Sequence, residues 1–191
     1  MLETLTSYIP PPVARRLAGD PNMPTGPSSE QLPAAVMFAD ISGFTPLAER
    51  LAERGVEGAE DLSNAVNGFF GRFIDLTASH GGEALYFAGD SAIVLWPATD
   101  LDDDLPGLTH RAAQCALEIM SQLNGLEVAE DVRLSIRVGL SAGRVMVASV
   151  GGVQNRWQCL FAGDPMHELG AVGNMGDSGE IILTPDVQAM L

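Results

Sequence analysis

The chain has 191 residues, with 25 Asp plus Glu against 10 Lys plus Arg and a net charge of −15. Every one of its ten cations is an arginine, which excludes a phosphate-loop lysine, a Schiff-base lysine and a lysine-rich nucleic-acid patch. An isoelectric point near 4.3 argues against bulk nucleic acid or an anionic membrane as partner, although a small anion stays acceptable if a metal supplies local charge.

Residues 1–19 suggest a short helix interrupted by Pro10-Pro11-Pro12. Gly19 to Pro33, rich in Pro, Gly, Ser and Asn, reads as a linker. Ala34 to Ala39 is a continuous apolar run ending at Asp40, the pattern of a buried strand. Ser42-Gly43 breaks it, and Phe44 to Glu53 follows as a helix with Leu47 and Leu51 one turn apart. Gly58 to Ser79 carries Leu62, Val66, Phe69, Phe70, Phe73 and Leu76 on one broad helical face. His80-Gly81-Gly82 stops that helix. Glu83 to Ala88 and Ser91 to Trp96 are short strands around Gly89-Asp90, a hairpin signal.

Pro97 to Gly107 reads as an acidic, solvated loop, and Leu108 to Leu123 as a helix. Val132 to Leu140 alternates as an amphipathic strand, and after Ala142-Gly143 a separate strand is expected over Arg144 to Val150. Trp157 to Phe161, Gly163 to Val172, Ile181 to Leu183 and the segment opening at Pro185 read as strand, helix, strand and helix. The fold class is α+β, an antiparallel-rich sheet covered by helices on one face.

Cys115 and Cys159 are too isolated for a disulfide framework and suit a reduced protein, while His80, His110 and His167 show no paired metal spacing. The first residues lack a basic segment before an apolar one, and no apolar run approaches the roughly 20 residues of a membrane span. A cytoplasmic location is the expectation.

Two segments carry chemistry: Phe38-Ala39-Asp40-Ile41-Ser42-Gly43-Phe44-Thr45 and Phe87-Ala88-Gly89-Asp90-Ser91. Each ends an apolar strand in a carboxylate beside glycine. A strand, a glycine and a helix start leave backbone N–H groups of residues 42–45 able to face an anion. If the hairpin lies beside the first strand, Asp40 and Asp90 converge, and such a pair calls for a shared cation or proton. Hard, all-oxygen ligation of that kind suits Mg²⁺ or Mn²⁺. The plainer alternatives are Asp40 as a helix N-cap and Asp90 as a turn residue. An aspartyl-phosphatase loop is rejected because Ser42 stands where a second Asp is required. The Gly81-Gly82-Glu83 turn of a diguanylate cyclase lacks its second acid and its aromatic.

As a set, the first segment followed about fifty residues later by Gly81-Gly82-Glu83-Ala84-Leu85-Tyr86-Phe87-Ala88-Gly89-Asp90-Ser91 resembles the catalytic domain of class III adenylyl/guanylyl cyclases. It is nearest the first catalytic domain of soluble-type adenylyl cyclases and their bacterial relatives. Gly58-Ala59-Glu60-Asp61-Leu62, Arg137-Val138-Gly139-Leu140-Ser141-Ala142-Gly143-Arg144-Val145 and Arg156-Trp157-Gln158 agree further.

The resemblance implies a ferredoxin-like βαββαβ core over residues 34–191, after an N-terminal helix and linker at 1–33. It implies two Mg²⁺ or Mn²⁺ ions on Asp40, Asp90 and the Ile41 carbonyl. It also implies a triphosphate cradle at Gly43, Phe44 and Thr45, and Arg144 reaching the phosphates. The expected reaction is ATP, or GTP, to the cyclic nucleotide and pyrophosphate, in a homodimer or with a second cyclase domain.

The pattern departs where the family reads substrate. Tyr86 stands for a purine-reading lysine, Leu160 for an Asp or Thr, His167 for an Asn and Ala171 for an Arg. Leucine cannot bond a purine edge and alanine cannot stabilise phosphoryl charge. The expectation is therefore the metal-binding half of a site, in a domain lacking its final hairpin and without the lysine and arginine of a bicarbonate site. The alternative is a catalytically silent regulatory or dimerisation module.

Overall fold

The structure, a computed structural model, describes residues 9–19, 26–100, 102–129, 132–172 and 175–191. Residues 1–8 of the helix expected over 1–19, and residues 20–25 of the linker expected from Gly19 to Pro33, lie outside these residues. The described chain forms α1 (Pro11–Gly19), β1 (Ser28–Ser42), α2 (Phe44–Ala52), α3 (Val56–Ser79), β2 (Glu83–Ala88), β3 (Ser91–Pro97) and α4 (Leu105–Leu123). It continues through β4 (Leu126–Ala129), β5 (Val132–Gly151), a 3-10 turn at Val153–Asn155, β6 (Trp157–Ala162), α5 (Asp164–Val172), β7 (Ile181–Leu183) and α6 (Pro185–Met190).

Seven strands make one sheet in the order β2-β3-β1-β5-β4, with β6 and β7 also on β5. The centre is the antiparallel pair β1–β5, in register from Ser28↔Ser149 to Ser42↔Ser135. The hairpin β2–β3 lies along β1 from Ala34↔Pro97 to Asp40↔Ser91. β7 joins β5 in parallel at Val138 to Leu140.

Strand alternation sorts β1 onto two faces. Ala35, Met37, Ala39 and Ile41 pack in the larger core with Phe69 and Phe73 of α3 and Ala112, Cys115 and Ile119 of α4. Ala34 and Val36 join Leu85, Leu95, Val145 and Leu169 of α5 beneath the other face. Helices therefore cover both faces rather than the single face expected, because α5 has its own apolar edge. Two glycines of β5 seat that helix: a Cβ at Gly139 would lie 2.9 Å from Val172, and one at Gly143 3.0 Å from Pro165.

The same glycines explain why β5 runs unbroken for 20 residues where two strands were expected. They admit a helix at close range and break no pairing. β1 likewise starts at Ser28, ahead of Ala34, because Ser28 to Pro33 pair with β5 despite their turn-like composition. The short β4 was missed; its only apolar residues besides alanine are Leu126 and Val128. The acidic stretch supplies the cap of α4, where the Gly107 N–H donates to Asp104 Oδ1 at 2.7 Å.

Candidate active site

The site stands at the end of the sheet where β1 gives way to α2. Asp40 faces Ser91 on β3 and Arg137 on β5. Alternation puts its side chain on the α5 face, opposite the Ile41 side chain in the larger core. Oδ1 accepts the Ser91 hydroxyl at 3.0 Å, and Oδ2 accepts from Arg137 Nη2 at 2.7 Å. Asp90 occupies the exposed turn between β2 and β3, and its carbonyl accepts the Ile41 N–H at 3.0 Å. That bond joins the two sequence segments at the backbone and sets Asp90 beside Asp40-Ile41. Asp40 is not the N-cap of α2; Asp90 is a turn residue as well as a site candidate.

Gly43 holds the N-cap position with φ +106° and no side-chain cap. The first amides of a helix have no intrahelical acceptor, and Pro46 has no N–H, so the Phe44 and Thr45 amides point outward from a positive helix end. The Phe44 ring stacks on Phe70 at 5.9 Å, and Phe70 meets Phe87 edge-on at 5.2 Å. These rings tie the start of α2 to the strand leading into the Asp90 turn.

Arg144 lies elsewhere. It pairs with Pro33 in the β1–β5 register and its Nε approaches Gln31 Oε1 at 3.4 Å. At about 3.3 Å per residue it is roughly 23 Å along the strand from Arg137. The structure thus gathers Asp40, Ile41, Gly43, Phe44, Thr45 and Asp90 and leaves Arg144 apart from them.

Arg137, which in the sequence is only part of a motif with no role of its own, is set opposite Asp40 by the β1–β5 register, and no signal within its own segment points there. Its Nη1 donates to the Gly176 carbonyl at 3.0 Å. The segment after α5 is held to the site again by Ser42 Oγ and Ser178 Oγ, 2.7 Å apart, and by the Gly179 N–H on the Ile136 carbonyl at 2.9 Å. Tyr86 and Leu160 are 43% and 49% exposed, and burial of its ring raises the Tyr86 pKa.

The groups that the β1 end and the Asp90 turn offer here, the Asp40 and Asp90 carboxylates and the Ile41 carbonyl, are all oxygen donors, which fits a hard divalent cation and not a soft one. Among the described residues no group of three or more His, Cys, Asp or Glu converges on a point. A cation held here must complete its shell with carbonyl, water or phosphate oxygens.

The model of the adenylate and guanylate cyclase catalytic domain matches residues 27–191. Rat adenylate cyclase type 10 is 29% identical over 165 residues, covering 85% of this chain and 10% of that protein. An adenylate cyclase of Mycobacterium tuberculosis is 28% identical over 158 residues, 83% of this chain and 33% of that protein. The chain therefore spans between about a tenth and a third of these curated relatives. Among solved structures, the adenylyl cyclase CyaB of P. aeruginosa superposes with a TM-score of 0.71 at 20% identity, over 85% of this chain and 82% of that one. The guanylate cyclase domain of RhGC from Catenaria anguillulae, solved with GTP, gives 0.68 at 20% identity, over 84% and 83%. These structures share the fold, and the family match over most of the chain completes the assignment. The chain belongs to the adenylate and guanylate cyclase catalytic domain family, the class III nucleotidyl cyclases.

Proposed function

We propose that this domain converts ATP to cyclic AMP and pyrophosphate in cyclic-nucleotide signalling, contributing the metal-binding half of a site that a second cyclase domain completes. The observation that carries the reading is the junction of Asp40-Ile41 with Asp90 through the 3.0 Å Ile41 N–H bond. Asp40, Asp90 and the Ile41 carbonyl would hold two Mg²⁺ or Mn²⁺ ions. The chemistry such ions would supply is a lowered pKa at the ribose 3′-hydroxyl and neutralisation of the departing pyrophosphate. The Phe44 and Thr45 amides donate to phosphate oxygens, with the Gly43 turn fixing their direction. Arg137, paired with Asp40, would offer a guanidinium to the substrate anion in a chain with no lysine to do so. Positioning and charge neutralisation carry most of the rate of such an in-line displacement.

Arg144, far along β5, would serve a site formed with another domain and not its own. The curated relatives named adenylate cyclase support adenylate over guanylate in this reading; the fold itself is shared with guanylate cyclases. The reading implies a dimeric or pseudo-dimeric assembly in the cytoplasm, and no helix among the described residues is long and apolar enough to cross a membrane.

The test is cyclic AMP and cyclic GMP formation with Mn²⁺ or Mg²⁺, by the chain alone and mixed with a cyclase domain bearing the substrate-reading residues. Asp40→Asn and Asp90→Asn should each lower turnover at least about a hundredfold. Turnover unchanged in both variants overturns the metal assignment. A second reading, a silent nucleotide-binding or docking module, is favoured by the exposed Tyr86 and Leu160 at purine-reading positions. Metal-dependent ATP binding without turnover in every pairing would establish it.

A further inference from the structure

The structure sets a guanidinium directly against the carboxylate assigned above to metal. Arg137 Nη2 donates to Asp40 Oδ2 at 2.7 Å, with side chains only 21% and 27% exposed. Ser91 occupies Oδ1 at 3.0 Å, so both oxygens of Asp40 already accept a hydrogen bond. The guanidinium also reaches out of the site, through Nη1 to the Gly176 carbonyl. Its Nε is buried with no acceptor. A buried donor left unmet is costly, so this pose satisfies the ion pair but not the whole guanidinium.

A divalent cation approaching Asp40 meets a positive group already in contact with the same carboxylate. Two cations on one carboxylate repel at short range, where salt screens little. We propose that Arg137 is a resident counter-cation of Asp40 which a divalent metal must displace, so that metal occupancy and the Asp40–Arg137–Gly176 link exclude each other. The inference rests on the metal reading of the site. It goes further in making metal affinity depend on Arg137 and in connecting occupancy to the segment between α5 and β7. When Arg137 leaves, the Gly176 carbonyl loses its donor, and the Ser42–Ser178 contact and the Gly179 N–H bond to Ile136 remain to hold that segment.

The experiment is Mn²⁺ titration of the nucleotide-free 191-residue chain, with free Mn²⁺ followed by electron paramagnetic resonance. Wild type, Arg137→Gln, Asp40→Asn and the double variant are compared. Removing one unit charge in contact with the same carboxylate should tighten Mn²⁺ binding in Arg137→Gln roughly fivefold or more. In the Asp40→Asn background the same substitution should have no effect. Binding of equal or lower affinity in Arg137→Gln overturns the counter-cation role and leaves the metal assignment standing. Binding that Asp40→Asn does not weaken, or none in either wild type or Arg137→Gln, overturns the metal assignment and the inference with it.

A measurement on the wild type guards against a variant that does not fold. In ¹⁵N spectra, saturating Mg²⁺ should move the Arg137 guanidinium resonances and speed their exchange with water. Resonances unchanged at saturation overturn the proposal.

Discussion

Replacing Gly43 by alanine probes the hinge on which the proposed phosphate cradle depends. Gly43 has φ +106°, a backbone that L side chains rarely adopt. An added Cβ would lie 2.7 Å from the Arg133 carbonyl oxygen and 3.2 Å from Leu134 Cδ2. The left-handed conformation alone costs about 1–2 kcal/mol for a residue with a Cβ. The carbonyl belongs to paired β5 and cannot move aside as a flexible side chain would, so overpacking adds about 1–3 kcal/mol. The expected loss is about 2–5 kcal/mol, relieved only by turning the Phe44 and Thr45 amides away from their present direction. Gly125 is the control: φ is +72° but nothing lies within 4 Å of its Cβ position, so Gly125→Ala carries a conformational cost without the clash. Urea unfolding with matched slopes measures the difference between the two variants, and calorimetry measures Mn²⁺-dependent ATP binding. Gly43→Ala should be the less stable by at least about 1 kcal/mol and should bind ATP more weakly. A Gly43→Ala variant no less stable than Gly125→Ala, with unchanged ATP binding, would show that the Arg133 carbonyl does not constrain this turn.

Other outcomes follow from the packing and the charges. Asp103 accepts the Asp100 and Thr99 backbone N–H groups and Arg111, which lowers its pKa to about 2. Its carboxylate is therefore favoured in the folded state: the stabilisation is complete above the unfolded value of about 4 and disappears as pH falls through about 2. Asp103→Asn should flatten the fall of melting temperature across that window, and an unaltered acid limb would contradict the assignment. Burial, with the Glu118 charge second, pushes the Cys115 thiol up to about 12. A thiol reagent at pH 8 should leave Cys115 unmodified in the folded protein and react with both cysteines in denaturant; rapid native labelling of Cys115 would count against its burial. Phe70→Leu removes ring contacts to Phe44 and Phe87, each worth about 0.5–1.5 kcal/mol, and should lower unfolding free energy by roughly 1–3 kcal/mol. No measurable loss in urea would show that the rings do not support the site.

Much of the fold was legible because period and punctuation are local. The apolar face of α3, the alternation of β5 and the Gly89-Asp90 turn could be read directly. Boundaries failed where pairing overrode composition, as in Ser28 to Pro33, which looks like linker but lies along β5. They failed again where a glycine served contact and not a turn, as Gly143 does under Pro165. At the site, Asp40 and Asp90 could be singled out from their apolar strands and glycines. The function of Arg137 could not, since nothing within its own segment says that it stands opposite Asp40.

From the sequence came the α+β class, the two candidate carboxylates, the glycine break after Asp40 and the absence of lysine, because side-chain chemistry and short-range periodicity survive in one dimension. The tertiary structure alone decided that β1 pairs with β5 along the whole of β1, that α5 covers the second face, and that Arg137 rather than Arg144 meets Asp40. Those outcomes depend on strand register between residues about a hundred apart, and register is set by which side chains bury together across the whole sheet.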